Sequence, residues 1–497
     1  MNSIMVVGTT SHAGKSFLTA AICRILVRQG WHVTPFKGQN MALNAYITSD
    51  GGEIGHAQAV QAWAAKISPT VEMNPILLKP QGNMVSQVIM KGKMIGTTHA
   101  AEYYEKYFDK GWNVIKSCLE HLKTRYDVIV CEGAGSPAEI NLKDRDLTNM
   151  RVARYLNAAT ILVVDIDRGG AFAHVVGTLQ LLEPEERALI KGIIINKFRG
   201  QRSLLDSGID WLENYTKIPV LGVIPWRNVV FPSEDSLNLL DRQSSNTKGE
   251  LTINVIRLPH IANFTDFDPL ELEPTVNLKY IDIQDSLNHP DAVIIPGSKT
   301  TIADLIELHK SGMAKKIQDY IKLGGIVLGI CGGFQMLGKQ IFDPEQLEGN
   351  HNYCLGLDLL PMTTVISSKK ISRQRQVISN YPKSGLTVRG YEIHQGITSF
   401  IKSSQTKKAT ALYSLFDDSS LGVVNDTYSV WGCYLHELFN NGVWRRAWLN
   451  FLGQRRGLVT LPTAIGNYCE QRDAHLDILA DLVEEFVNLK PVSPVLS

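Results

Sequence analysis

Short apolar runs alternate with amphipathic stretches along most of the chain, and a polar interval divides them into two series. The first series is SIMVVG (3–8), WHVTPF (31–36), YDVIVCEG (126–133), ATILVVDI (159–166), KGIIINKF (191–198) and IPVLGVIP (218–225). The second is LTINVIRL (251–258), NLKYIDI (277–283), DAVIIPG (291–297), GIVLGIC (325–331) and YSVWGCYLH (428–436). Helix-like stretches such as KSFLTAAICRILVRQG and GEIGHAQAVQAWAAK lie between the early runs. Apolar runs that alternate with helical patterns belong to parallel sheets covered on both faces. The pattern predicts an α/β fold of two doubly wound, mainly parallel-sheet domains. The polar stretch 226–250 carries Ser, Asn and Lys without periodicity and reads as a connection. The expected boundaries are a first domain over 1–230, a linker over 231–250, a second domain over 251–445 and a helical segment over 446–497.

Composition narrows the function classes. A chain of 497 residues exceeds one ordinary core. Its 50 basic and 49 acidic residues leave a net charge of +1, so no global field recruits nucleic acid or an acidic membrane. No apolar run approaches the ~18 residues of a membrane span. The start, MNSIMVVGTT, enters a strand directly and lacks the marks of a secretion signal. Seven widely spaced cysteines without a CxxC pair point to a reducing compartment rather than a disulfide or zinc framework. The expectation is a cytoplasmic protein without nucleic-acid or membrane partners; the sequence sets no oligomeric state.

GTTSHAGKS (8–16) joins the first run to a helical pattern. Five residues separate Gly8 from Gly14, one more than the strict phosphate-loop spacing, but Gly14-Lys15-Ser16 stands where a strand becomes a helix. Backbone amides of Gly8, Thr9 and Gly14 and the helix N-terminus would hold phosphates, Lys15 would reach the terminal phosphate, and the Ser16 hydroxyl would ligate magnesium. These features predict ATP with Mg2+. Lys37 ends the second run and is a candidate second phosphate contact, since ligands bind at such strand ends. Glu132, also at a strand end, is a candidate magnesium ligand, and Glu53 a further one. Asn196 is a candidate for reading a base edge.

GIVLGICGGFQMLG (325–338) carries the second centre. A tight Gly-Ile-Cys-Gly-Gly corner between strand and helix lifts the Cys331 thiol from the backbone, and the helix N-terminus favours its thiolate. Cys331 is therefore the candidate nucleophile. Cys23, Cys118 and Cys131 read as core residues, while Cys433 in a strand and Cys354 in a loop-like stretch show no activating context. A thiol nucleophile needs a base, and His436, at the end of the strand neighbouring that of Cys331, is the candidate. Gly332 and Gly297, in PGSKTT, are the candidate oxyanion donors. The basic stretch KKISRQR (369–375) reads as a solvated loop. RGYEIHQG (389–396), with Tyr391, Glu392 and His394, reads either as domain interface or as substrate contact.

GICGGFQMLG and YLHELF resemble class I glutamine amidotransferase domains. The first half resembles the dethiobiotin synthetase group of P-loop carboxylate-activating enzymes, which share the five-residue spacing. PFKGQNMALN, DIDRGGAFA and RGYEIHQG resemble the cobyric acid synthase family rather than the a,c-diamide synthases, although a,c-diamide-type amidation stays an alternative, as does a ParA-like regulatory ATPase. The resemblance implies a glutamine-hydrolysing ligase in cobalamin biosynthesis. It implies glutamine and a corrinoid as substrates, with ATP driving amidation of the b, d, e and g carboxylates of adenosylcobyrinic acid a,c-diamide. Any cobalt belongs to the corrinoid. Most amidotransferase domains carry His-x-Glu; here His-Glu-Leu (436–438) moves the acid by one residue. Adjacent strand side chains face opposite ways, so Glu437 is not expected to orient His436.

Overall fold

The computed structural model describes residues 2–82, 84–227, 249–401 and 411–492, so nearly all of the expected linker lies outside the described residues. The first series of apolar runs forms a six-stranded parallel sheet. Its order is Val220–Pro225, Ile190–Phe198, Ala159–Asp165, Asn2–Gly8, Val128–Glu132 and Val33–Phe36. The first strand of the chain is central, between the strands that end on Glu132 and Asp165, so the loop after Gly8 opens beside both. Apolar side chains fill both faces. One face packs Met5, Val7, Ile129 and Leu162 against the helix Ala100–Lys123 and its neighbours. The other packs Ile4, Val6, Val130 and Ile161 against the helix Lys15–Arg28.

That helix is covered in turn by the closing helix, Tyr468–Phe486, whose Leu476, Leu479 and Val483 join the same core. Arg24 meets Asp473, and Arg28 reaches Asp477 and Asp481 at 2.8 and 2.6 Å. The C-terminal segment therefore returns to the first sheet.

A four-stranded sheet of Gln39–Met41, Ile76–Pro80, Val85–Met90 and Lys93–His99 lies outside both series of apolar runs. These strands are short or polar on one face, and two antiparallel pairings carry most of the sheet.

The second series forms a seven-stranded sheet. Val276–Asp282, Leu251–Arg257, Ala292–Ile295, Val327–Ile330 and Val430–Cys433 run parallel, and Gly422–Asn425 and Leu412–Ser414 complete it antiparallel. A long antiparallel hairpin, Met362–Ser379 with Leu386–Phe400, stands beside this sheet. The stretch 369–375 is part of its first strand, which corrects the expectation of a solvated loop. The alternation of the strand explains why: Lys370, Ser372 and Gln374 point one way and contact the first domain at Glu53, the Gly51 carbonyl and the Ile47 carbonyl. Arg373 and Arg375 pair with Glu392 within the hairpin sheet. A charge-rich sequence here builds an interface.

Candidate active sites

At the phosphate loop, Gly14 has φ 105°, a left-handed conformation that glycine adopts without strain. A Cβ there would lie 2.1 Å from Asn196 Nδ2. Lys15 lies along the loop, its Nζ donating to the Thr10 and Gly135 carbonyls at 3.1 and 2.9 Å. The Ser16 hydroxyl donates to Glu132 Oε1 at 2.9 Å, and Lys37 Nζ contacts the same oxygen at 2.9 Å. Gln61 Nε2 donates to Glu132 Oε2 at 2.5 Å. The fold thus gathers Lys15 and Ser16 from one strand-to-helix loop and Lys37 and Glu132 from two strand ends, and Gln61 joins them unannounced by any motif.

Two site candidates take other partners. Asn196 lies against the phosphate loop. Its Nδ2 donates to the Ala13 carbonyl at 2.9 Å and its Oδ1 accepts from the Lys197 amide, so it braces the phosphate loop. Lys197 adds to that brace, donating to the His12 carbonyl at 2.8 Å while paired with Asp165 at 2.7 Å. Glu53 does not join Ser16 and Glu132 as a metal ligand. Its buried carboxylate sits between Lys79, at 2.9 Å, and Lys370 of the hairpin. Burial alone would raise its pKa, but the two ammonium groups hold it down at about 2. Among the described residues no group of three or more His, Cys, Asp or Glu side chains is set to hold a metal. The Ser16 hydroxyl and Glu132 carboxylate, oxygen donors beside a phosphate loop, fit a hard cation shared with phosphate.

The thiol site is assembled from distant segments. Cys331 has φ 52° and ψ −110°, a conformation costly for a residue with a Cβ, between the strand Val327–Ile330 and the short helix Gly332–Met336. Glycine is obligatory around it: a Cβ at Gly333 would lie 2.0 Å from the Ile295 carbonyl oxygen, and one at Gly329 would lie 2.5 Å from Gly333. The thiol donates to the Ile393 carbonyl at 3.2 Å. The strand Val430–Cys433, three residues before His436, neighbours Val327–Ile330, and the Cys331 amide donates to the Cys433 carbonyl at 2.8 Å. The chain then leaves that sheet at Tyr434, and Leu435–His436 pairs with Tyr391–Glu392 of the hairpin.

Asp266 orients His436. Its Oδ2 lies 2.7 Å from His436 Nδ1, and its Oδ1 accepts from the Glu437 amide at 2.9 Å. His436 is 1 % exposed, and its Nε2 has no hydrogen-bond partner among the described residues. Burial works against the imidazolium, but the Asp266 charge and hydrogen bond, with a further contribution from Cys331, raise its pKa to about 10. A Cβ added at Gly297 would lie 3.6 Å from His436 Cε1 and 3.8 Å from Cys331 Cβ, so this candidate oxyanion residue borders both. Gly332 faces the same loop, where a Cβ would lie 2.9 Å from the Ser298 amide. Glu437 lies just past the strand Leu435–His436 in a left-handed conformation (φ 59°) and turns away into a separate pocket with His56, Trp63 and Arg472.

Asp266 lies 170 residues before His436. Its only sequence signal is an acid set among apolar residues in NFTDFDP, the turn after a buried strand. The rest of RGYEIHQG also finds its place. Tyr391 stacks on His436 at 5.2 Å between ring centroids and donates its hydroxyl to the Ala45 carbonyl at 2.9 Å. The Ala45 amide donates to Asn263 Oδ1 at 2.9 Å, and the Phe264 amide to Asn44 Oδ1 at 3.2 Å. Residues 37–45 therefore run from Glu132 at one site to the Asp266 turn at the other.

The chain matches two families. Residues 4–238 match a CobQ/CobB/MinD/ParA nucleotide binding domain, and residues 252–444 match a CobB/CobQ-like glutamine amidotransferase domain. Similar curated proteins include the cobyric acid synthase of Rippkaea orientalis, 73% identical over 99% of this chain and 100% of that protein. The cobyric acid synthase of Crocosphaera subtropica is 68% identical over 99% of both chains. That of Synechocystis sp. is 65% identical over 99% of this chain and 98% of its own length. Among the described residues no helix is long and apolar enough to cross a membrane.

Proposed function

The chain belongs to the cobyric acid synthase family, a family of glutamine-dependent ligases of cobalamin biosynthesis, and from that premise we propose how its two sites divide the reaction. At the second site Cys331 attacks the side-chain amide of glutamine. His436, held by Asp266, takes the thiol proton and passes it to the leaving nitrogen as ammonia departs. Water, deprotonated by the same imidazole, then hydrolyses the glutamyl thioester. The amides of Gly332 and Gly297 receive the negative charge that develops on the carbonyl oxygen.

At the first site a corrinoid carboxylate attacks the terminal phosphate of ATP. Gly8, Thr9 and Gly14 cradle the nucleotide phosphates, and Lys15 and Lys37 neutralise charge during transfer. Ser16 and Glu132 would hold Mg2+, which would neutralise charge on the phosphates. Ammonia then displaces phosphate from the acyl phosphate to give the amide. Repeating this cycle at the b, d, e and g carboxylates of adenosylcobyrinic acid a,c-diamide yields cobyric acid.

The observation that supports this reading best is the joining of the sites by one short segment, residues 37–45, with Lys37 on Glu132 and Ala45 on Asn263 and Tyr391. A ParA-like regulator would leave the Cys331–His436–Asp266 arrangement without a task. The test is incubation with glutamine, Mg-ATP and a panel of corrinoid acids, read by product mass. Four added amides on the a,c-diamide are expected. Addition only to the unamidated acid, ending at two amides, overturns the reading in favour of the a,c-diamide type.

A further inference from the structure

The cavity at Cys331 is more highly charged than cleavage of a neutral amide requires. Besides Cys331 and His436, its walls include Lys79, Lys299, Lys370 and Glu348. Lys79 and Lys370 are both bound to Glu53. Lys299 is different: among the described residues its ammonium has no hydrogen-bonded carboxylate, although it is partly buried and lies within electrostatic reach of Glu348. Burial lowers the pKa of Lys299 and raises that of Glu348, so each charge is held at a cost.

Both side chains stand on braced backbone. Lys299 follows Gly297 by two residues, in a loop that Asp304 pins by contacts to the Ser298 hydroxyl at 2.7 Å and His260 Nδ1 at 2.8 Å. The Lys299 amide donates to the His260 carbonyl at 3.0 Å. Glu348 is fixed at both ends: its amide donates to Asp343 Oδ2 at 2.8 Å, and its Oε2 accepts from the Thr301 amide at 2.6 Å. An opposite pair of charges is thus presented from braced backbone in the cavity that the oxyanion loop also lines.

We propose that this pair recognises the α-amino-acid head of the nitrogen donor, Lys299 binding the α-carboxylate and Glu348 the α-ammonium. The assignment rests on the glutaminase reading of Cys331 and deepens it. The zwitterion adds a hydrogen-bonded counter-charge at each side chain and directs the side-chain amide toward the thiol. The pair then selects a free amino acid over a glutamine residue within a peptide, in which both head groups are amides.

The test measures hydrolysis of glutamine, α-N-acetylglutamine and glutamine α-methyl ester by the full chain and by the variants Lys299→Met and Glu348→Gln. Each variant should raise the KM for glutamine by about 10- to 150-fold, the range for a lost hydrogen bond to a charged group, with kcat changed far less. Glu348→Gln should lose the preference for glutamine over the N-acetyl donor, and Lys299→Met the preference over the ester. Unchanged KM in folded variants, with hydrolysis still abolished by Cys331→Ala, overturns the head-group assignment and leaves the ligase reading intact. Loss of folding is read from the melting curve, and the wild type then decides. Rejection of both masked donors supports the proposal, and hydrolysis of either at the rate of glutamine overturns it. A wild type that hydrolyses no glutamine overturns both readings.

Discussion

The phosphate loop and the thiol site differ in how far along the chain their parts are gathered. Gly8, Gly14, Lys15 and Ser16 come from one strand-to-helix connection, and Lys37 and Glu132 are added by neighbouring strand ends. The thiol site takes Asp266 from a turn, Gly297 from a second loop, Cys331 from the elbow, the Ile393 carbonyl from the hairpin and His436 from a strand that has changed sheets. The first domain completes it through Ala45, Glu53 and Lys79. The first site is set chiefly by local backbone, the second by long-range packing. Damage to the interface should therefore be felt at the thiol first.

The sharpest test of that contrast pairs one substitution from each site. Cys331→Ala should lower glutamine-fed amidation by at least about 10³-fold while ammonium-fed amidation continues. Lys15→Met should lower both by about 10²–10³-fold, because it acts on the phosphate step they share. Separate product assays with glutamine and with ammonium salts would check both.

Asp266→Asn comes next, with an expected loss of about 10²–10⁴-fold in kcat for glutamine hydrolysis. Glu437→Gln, which alters a side chain facing away from the imidazole, should cost far less. The pH profile adds a signed test. Asp266 raises the imidazolium pKa to about 10. Its removal should move the alkaline limb of the glutaminase profile down toward the ordinary imidazole value of about 6.5.

Glu53→Gln leaves Lys79 and Lys370 buried together and should destabilise the chain by about 3–5 kcal/mol in denaturant titrations. The glutaminase KM should rise while ATP binding holds. Glu53 has a folded pKa of about 2 against an ordinary 4.5, so its stabilisation is full above about pH 4.5 and is lost as pH falls toward 2. Melting temperatures across that interval should fall in the wild type and flatten in the variant. The smallest effect is expected from Tyr391→Phe, which keeps the stacking on His436 but removes the hydroxyl contact to Ala45. About 0.5–1.5 kcal/mol should be lost, read as a modest fall in glutaminase kcat without change at the phosphate site.

The sequence alone determined what depends on neighbours in the chain. Alternating apolar runs specified the parallel sheets. The spacing of Gly14, Lys15 and Ser16 specified a phosphate loop, and Gly329, Gly332 and Gly333 specified an elbow that exposes Cys331. These features are legible because a few consecutive residues fix the backbone and the direction of the side chains. Tertiary structure decided the rest. It placed Asp266 behind His436, turned Asn196 onto the phosphate loop, committed Glu53 to two lysines and made a domain interface of the basic stretch 369–375. A carboxylate or a lysine has the same letter whether it faces water, a metal or an opposite charge. Its role follows from burial and from the partners that folding brings across hundreds of residues.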